Sequence, residues 1–232
     1  STLGVKATFF VNGSTSQSAL NKIVAAGHEI GNQAYSGSII TGMTPEQLAA
    51  EVALTEAAVS NSGATSKPYF RAPGGLSNAS VLETVGSLGY DYTIGWSIDP
   101  WDWSGIPSNE ITSIVTSQLA PGAIILLDAG STAIGTPAAL LDIIRQARLL
   151  GYDFATLGNL LSLEGYYPEE PVVEIPAIND VSKLVNRVNT NQQVVSLTIS
   201  GVNDDERIDA ILNNLSTLGV KATFFVNGST SQ

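Results

Sequence analysis

The 232-residue chain has no cysteine, and only one histidine and one methionine. Without cysteine there are no disulfides and no thiol chemistry, and the redox compartment is left open. No stretch approaches the roughly 18–20 consecutive apolar residues that a membrane-spanning helix needs. The N-terminus also lacks the basic segment and apolar run of a secretion signal. Positive charge is scarce: ten Lys and Arg stand against 21 Asp and Glu, a net charge of −11. Such a surface repels phosphate backbones and argues against nucleic acid or an anionic membrane as partner. Only 13% of residues are charged, and Ser, Thr, Asn and Gly are abundant, a composition that suits a secreted or cell-surface protein.

The hydrophobic content, 44%, is enough for the core of one large domain. Apolar runs that read as buried strands alternate with amphipathic segments that read as helices. "KATFFVNG" is a strand, "SQSALNKIVAAG" a helix closed by Gly27, and "HEIGNQA" a strand. In "TPEQLAAEVALTEAAVSNSG", Thr44 is the N-cap, Pro45 takes the first helical position and Gln47 has capping-box spacing. The alternation continues through "YFRAPGG", "SNASVLETVGSLG", "DYTIGWSIDP", "SNEITSIVTSQLA", "AIILLDA" and "TPAALLDIIRQARLLG" to "DFATLGNLL", read as a strand. Strands joined by single helices imply parallel pairing, in an open sheet or a closed barrel of about seven strands.

The C-terminal region differs. Residues 164–193, with "YYPEEPVVEIP", form a Pro-rich acidic linker in which "AINDVSKLVNRVN" could be a short helix. "QQVVSLTIS" and "DDERIDAILNNLSTLG" add a strand and a helix, with Asn203 or Asp204 as cap and Asp205 and Glu206 favouring the positive helix end. Residues 216–232 then repeat residues 1–17 letter for letter.

The order "GVKATFFV", "AAGHEIGNQAYS", "YFRAPGG", "LGYDYTIGWSIDPWDW", "PGAIILLD", "GYDFATLGNLL" resembles the NodB-homology polysaccharide deacetylases, carbohydrate esterase family 4. "VVSLTISGVNDDERIDAILNNLSTLGVKATFF" resembles the family's opening strand and helix. The resemblance implies an α/β fold, a distorted (β/α)7 barrel, here permuted or cut across two successive repeats. On that reading residues 1–163 are the main part of the barrel, 164–193 the linker, and 194–232 the opening strand–helix–strand of the next repeat. The family's chemistry is metal-assisted removal of acetyl groups from amino sugars. An Asp and two His hold a divalent cation, a second Asp is the base and a late His the acid.

At the matching positions this chain departs from the pattern. The family's "TFDDG" is "TISGV", with Ser200 and Gly201 for the two aspartates; "HTYSH" is "QAYSG", with Gln33 and Gly37 for the histidines; "LLH" is "LLD", with Asp128 for the acid. Glycine coordinates nothing and a neutral amide is a poor zinc ligand. The lone His28 falls outside the metal pair. The expectation is therefore no catalytic residue, no metal and no cofactor.

Arg71, Asp99 and Asp102 match positions of a buried ion-pair network, and Trp103 matches a groove-wall aromatic. A residual sugar groove with Trp103 or Trp101 as stacking platform is one reading. The competing one keeps Arg71 and its carboxylates because breaking a buried pair costs about 3–5 kcal/mol, with Trp103 as core packing. Joined to the 215-residue period, these losses lead to a non-catalytic structural repeat of an extracellular filament, its partners being neighbouring copies head to tail. An inactive glycan-binding module is the alternative. An atypical deacetylase or esterase using Asp102 and Asp128 as paired carboxylates is the second.

Overall fold

The computed structural model describes residues 5–163 and 181–217. The rest of the linker and all but two residues of the C-terminal duplicate lie outside them.

Strands β1 (Thr8–Val11), β2 (Glu29–Asn32), β3 (Tyr69–Phe70), β4 (Tyr92–Ile94) and β5 (Ile124–Asp128) alternate with helices α1 (Gln17–Ala25), α2 (Pro45–Ser60), α3 (Ala79–Ser87), α4 (Ser108–Ser117) and α5 (Thr136–Leu149). Then come β6 (Asp153–Ala155), α6 (Leu157–Leu161), β7 (Lys183–Val185), β8 (Val194–Ser200) and α7 (Asp205–Thr217). The strand order is β5-β8-β1-β2-β3-β4-β7, with β6 also paired to β8, and each of these strand pairings is parallel. Beyond β4, Ile98 bridges to Ile125 of β5, so the sheet curls round on itself.

Local sequence explains the helix boundaries. Thr44 and Gln47 form the expected capping box on α2. The Ser16 and Asn78 side chains accept from Ala19 and Val81 backbone N–H groups at the starts of α1 and α3, satisfying donors the helix cannot. For α7 the cap is Asp204, whose Oδ1 accepts from Arg207 N at 3.0 Å. Gly27, Gly89 and Gly151 follow α1, α3 and α5 with φ of 71°, 87° and 86°, a left-handed turn that glycine takes without Cβ strain.

The sheet separates two apolar layers. Phe9, Ile125, Leu127, Leu197 and Ile199 face the outer helices, among them Ile143, Ile144, Ile208 and Ile211. Phe10, Tyr69, Ile94 and Ile124 pack inside the curl with Leu157 and Leu160.

Three features differ from the sequence reading. "DFATLGNLL" splits into strand β6 and helix α6, because the Thr156 side chain caps a helical turn from Asn159 N. In the described part of "AINDVSKLVNRVN" the short helix is replaced by β7, paired with β4 over Tyr92–Ile94. The strand read as opening a following copy, β8, is seated in this chain's own sheet, between β5 and β1.

Candidate functional site

The loops that follow the C-terminal ends of the parallel strands share one mouth, where such folds gather functional groups. Arg71 leaves β3 with its backbone N–H donating to Asn32 O at 2.8 Å and its side chain turned inward. That side chain is fully buried. Its Nε donates to Ile94 O at 3.0 Å, Nη1 to Ser200 Oγ at 3.1 Å, and Nη2 to Gly95 O at 3.0 Å and Thr198 Oγ1 at 2.9 Å. The guanidinium lies 4.0 Å from the Phe10 ring centroid. Burial pulls its pKa down to about 9, opposed by the charge of Asp99.

The expected ion-pair network takes another form. Among the described residues no carboxylate is bonded to Arg71, and Asp99 accepts instead from Trp101 N at 2.9 Å. Ser200, where the family has an aspartate, holds Arg71 through a hydroxyl. Breaking an ion pair therefore cannot be what retains Arg71; it is held by carbonyls and hydroxyls that would otherwise lose their donor.

Asp128 ends β5 directly across from Ser200 in the β5–β8 register. Its carboxylate accepts from Gly130 N at 2.6 Å. Gly201, at φ 62°, lies beneath it, and a Cβ built there would overlap both Asp128 carboxylate oxygens. The carboxylate from β5 therefore occupies the space above position 201. Asp102 is buried next to it. Its Oδ2 accepts from Asp128 N at 2.8 Å and from the Thr136 hydroxyl at 2.6 Å, while Oδ1 has no hydrogen-bond partner among the described residues. Burial raises the Asp102 pKa to about 6, with a smaller push from Asp128; burial likewise raises Asp128.

Gln33 and Gly37 follow β2. Gln33 N donates to Val11 O at 2.9 Å. Gly37 is exposed, at φ 69°, and faces the Asn12 amide. The structure thus joins Ser200, Gly201, Asp102, Asp128 and Arg71 in one cluster and places Gln33 and Gly37 on the loop after β2. His28 precedes β2, at the opposite end of the barrel, where its Nδ1 accepts from Ala7 N at 3.1 Å. Burial and the Lys6 charge lower its pKa to about 4.

Among the described residues no three His, Cys, Asp or Glu side chains converge so as to hold a metal ion. At the positions that would carry the family's three cation ligands and its base stand a hydroxyl already engaged by Arg71, two glycines and an amide. This donor set does not fit a divalent cation.

The rim is aromatic and exposed. Trp103 is 52% and Trp101 63% accessible, so Trp103 does not serve as core packing. Tyr35, Leu76 and Ile134, on the loops after β2, β3 and β5, are also exposed. Sequence reasoning missed these three, and also Thr136 and Thr198 as partners of Asp102 and Arg71. Their positions just past strand ends, or on the inward face of β8, were the available signal.

The sheet is a curled parallel half-barrel with its polar groups gathered at this mouth. The model of the polysaccharide deacetylase family matches residues 1–93. A peptidoglycan-N-acetylglucosamine deacetylase of Bacillus cereus is 30% identical over 161 residues, 67% of this chain and 75% of that relative. The family 4 acetyl xylan esterase from Clostridium thermocellum, in complex with a cobalt ion, superposes with a TM-score of 0.66 at 29% identity, covering 80% and 86% of the two chains. A family 4 pseudoenzyme from Bacillus anthracis gives 0.61 at 26% identity, covering 67% and 55%. A mutant of that pseudoenzyme is described as having restored enzymatic activity.

The chain belongs to the polysaccharide deacetylase family. This overturns the expectation of a structural filament repeat: the relatives are named as deacetylases and esterases, not as fibre components.

Proposed function

We propose that the chain is a pseudoenzyme of the polysaccharide deacetylase family, acting outside the cell on a cell-wall type of polysaccharide. The observation that carries this reading is the Asp128 carboxylate lying over Gly201 beside an Arg71-bound Ser200. A cation has no donor set there, so the mouth lacks the means of metal hydrolysis. The exposed Trp101 and Trp103 indoles suit the apolar faces of pyranose rings. The kinship with a peptidoglycan deacetylase supports the ligand class and the extracellular setting. Among the described residues no helix is long and apolar enough to cross a membrane.

A second reading, deacetylation itself, is favoured by the relatives' names and by the adjacent carboxylates of Asp102 and Asp128. One set of measurements separates the two: acetyl release from N-acetylated chitin oligomers and peptidoglycan fragments, zinc and cobalt titration, and glycan affinity of the chain and of Trp103→Ala. The pseudoenzyme reading expects no turnover and no stoichiometric metal. It expects glycan binding weakened about tenfold by Trp103→Ala, or about 1.4 kcal/mol. Turnover that disappears in Asp128→Asn would establish the second reading instead.

A further inference from the structure

A cavity of about 200 Å³ lies beside the loop that follows β4, and none of Arg71, Asp102 and Asp128 lines it. The loop contributes Pro100 and Trp101, while Ile106, just before α4, and Ile114, within it, complete the apolar lining. Ile106 also packs against the outer core, which anchors that side. The volume is below the roughly 300–1,000 Å³ of sites for drug-sized ligands and suits a single ring.

The indole is held at a cost to the backbone. Trp101 has φ 60° and ψ 36°, a left-handed conformation that is an outlier for a bulky side chain. Asp99 Oδ1 accepts from Trp101 N at 2.9 Å. Trp101 O accepts from Ser104 N at 3.0 Å and from Ser104 Oγ at 2.7 Å. The result is a large apolar ring fixed at 63% accessibility beside a cavity.

The charge around the cavity has one sign. Asp99 and Glu110 line it, and among the described residues no basic side chain does. The Asp99 charge is also felt by Asp128, so the negative field continues towards the mouth, offset in part by the buried Arg71. Donors are scarce. The Ser104 hydroxyl proton is committed to Trp101 O and the Trp101 backbone N–H to Asp99, and Pro100 has no N–H. Apart from the indole N–H, the lining side chains offer acceptors. A fitting guest brings an apolar ring face, hydrogen-bond donors and positive charge.

We propose that this cavity takes a glucosamine residue with a free, protonated amine, so that the chain prefers de-N-acetylated glycan to the acetylated form. This choice of sugar rests on the glycan-binding reading. An ammonium brings three donors and a positive charge to Asp99 and Glu110, and a cation near an indole face gains further attraction. An acetamide at the same carbon is neutral, offers one N–H and adds a carbonyl that needs a donor. The net charge of −11 favours the approach of a polycationic chain.

Calorimetric titration of the 232-residue chain compares the tetramers of glucosamine and N-acetylglucosamine. Mildly acidic, low-salt buffer keeps the sugar amine protonated. The glucosamine tetramer is expected to bind about tenfold tighter, with a margin that shrinks as salt rises. Asp99→Asn, which still accepts from Trp101 N, and Glu110→Gln should each narrow the margin about threefold. Trp101→Ala should weaken both tetramers. Tetralysine, equally charged but without pyranose rings, should bind about tenfold more weakly than the glucosamine tetramer.

Equal binding of the two tetramers, or tighter binding of the acetylated one, overturns the proposal and leaves the glycan-binding reading standing. Binding of neither overturns both. A margin untouched by Asp99→Asn and Glu110→Gln rules out this cavity as its source. Tetralysine binding as tightly as the glucosamine tetramer reduces the preference to bulk charge and overturns the proposal as well.

Discussion

The two faces of β8 follow opposite rules although their residues alternate along seven positions. Val195, Leu197 and Ile199 are buried and apolar and lie beneath the helices. Ser196, Thr198 and Ser200 are just as buried, but polar. Thr198 and Ser200 hold Arg71, and Thr198 Oγ1 also donates to Ile125 O at 2.8 Å. The outer face gains from removing apolar area from water. The inner face depends on Thr198 and Ser200 keeping their partners, while Ser196 Oγ is buried with none among the described residues. What looks from sequence like one buried strand is half oil and half hydrogen-bond network.

The largest expected effects compare these faces directly. Leu197→Ala should cost about 2–5 kcal/mol, as apolar truncations in cores do. Arg71→Met should cost about 1–3 kcal/mol or more, because it strips a donor from two carbonyls and two hydroxyls in the interior. Urea melts of both variants check this. A cost for Arg71→Met below that for an exposed substitution would mean the inner network is an idle relic and the comparison fails.

Next in size is the contact where the inner face meets the mouth. Gly201→Ala combines a left-handed φ with overlap onto Asp128 and should cost about 2–4 kcal/mol. Adding Asp128→Gly removes the overlap and should leave about 1–2 kcal/mol, the backbone part alone. Strictly additive costs would show that the two residues do not share that space.

Much of the fold was legible because its signals are local. Caps such as Thr44 with Gln47, and glycines such as Gly27 and Gly89, mark helix ends within a few letters. Strand β7 was not legible: only three residues long, with Lys183 and Leu184 exposed, it has no apolar pattern, and its pairing with β4 joins distant parts of the chain. At the site the motif positions were readable, including the departures at Ser200, Gly201 and Asp128. Their arrangement was not. Asp128 lying over Gly201 joins two strands far apart in sequence, and Arg71 held by hydroxyls rather than carboxylates depends on which way β8 faces. The filament reading failed because a duplicated segment carries no information about what its strand packs against.

The smallest effect sharpens the comparison by pH. His28, at the far end of the barrel, has a pKa lowered to about 4 by burial and by Lys6, against an ordinary 6.5. The unfolded chain therefore takes up its proton more readily, and this contribution to stability falls as pH drops from about 6.5 through 4. Asp102, at the mouth, has a pKa raised from 3.8 to about 6 by burial, with Asp128 adding to it. Its contribution is complete below about 3.8 and is lost as pH rises through 6. Asp128 is raised by burial as well and adds to the same trend. At 1.36 kcal/mol per unit, each shift amounts to about 3 kcal/mol. The two oppose each other between pH 4 and 6, so the chain's own stability should change little there. His28→Gln should uncover a stability that falls with rising pH, and Asp102→Asn one that rises. Denaturant melts at pH 4, 5, 6 and 7 read the sign directly. Parallel slopes in the two variants would mean that the barrel's ends do not store opposite proton preferences.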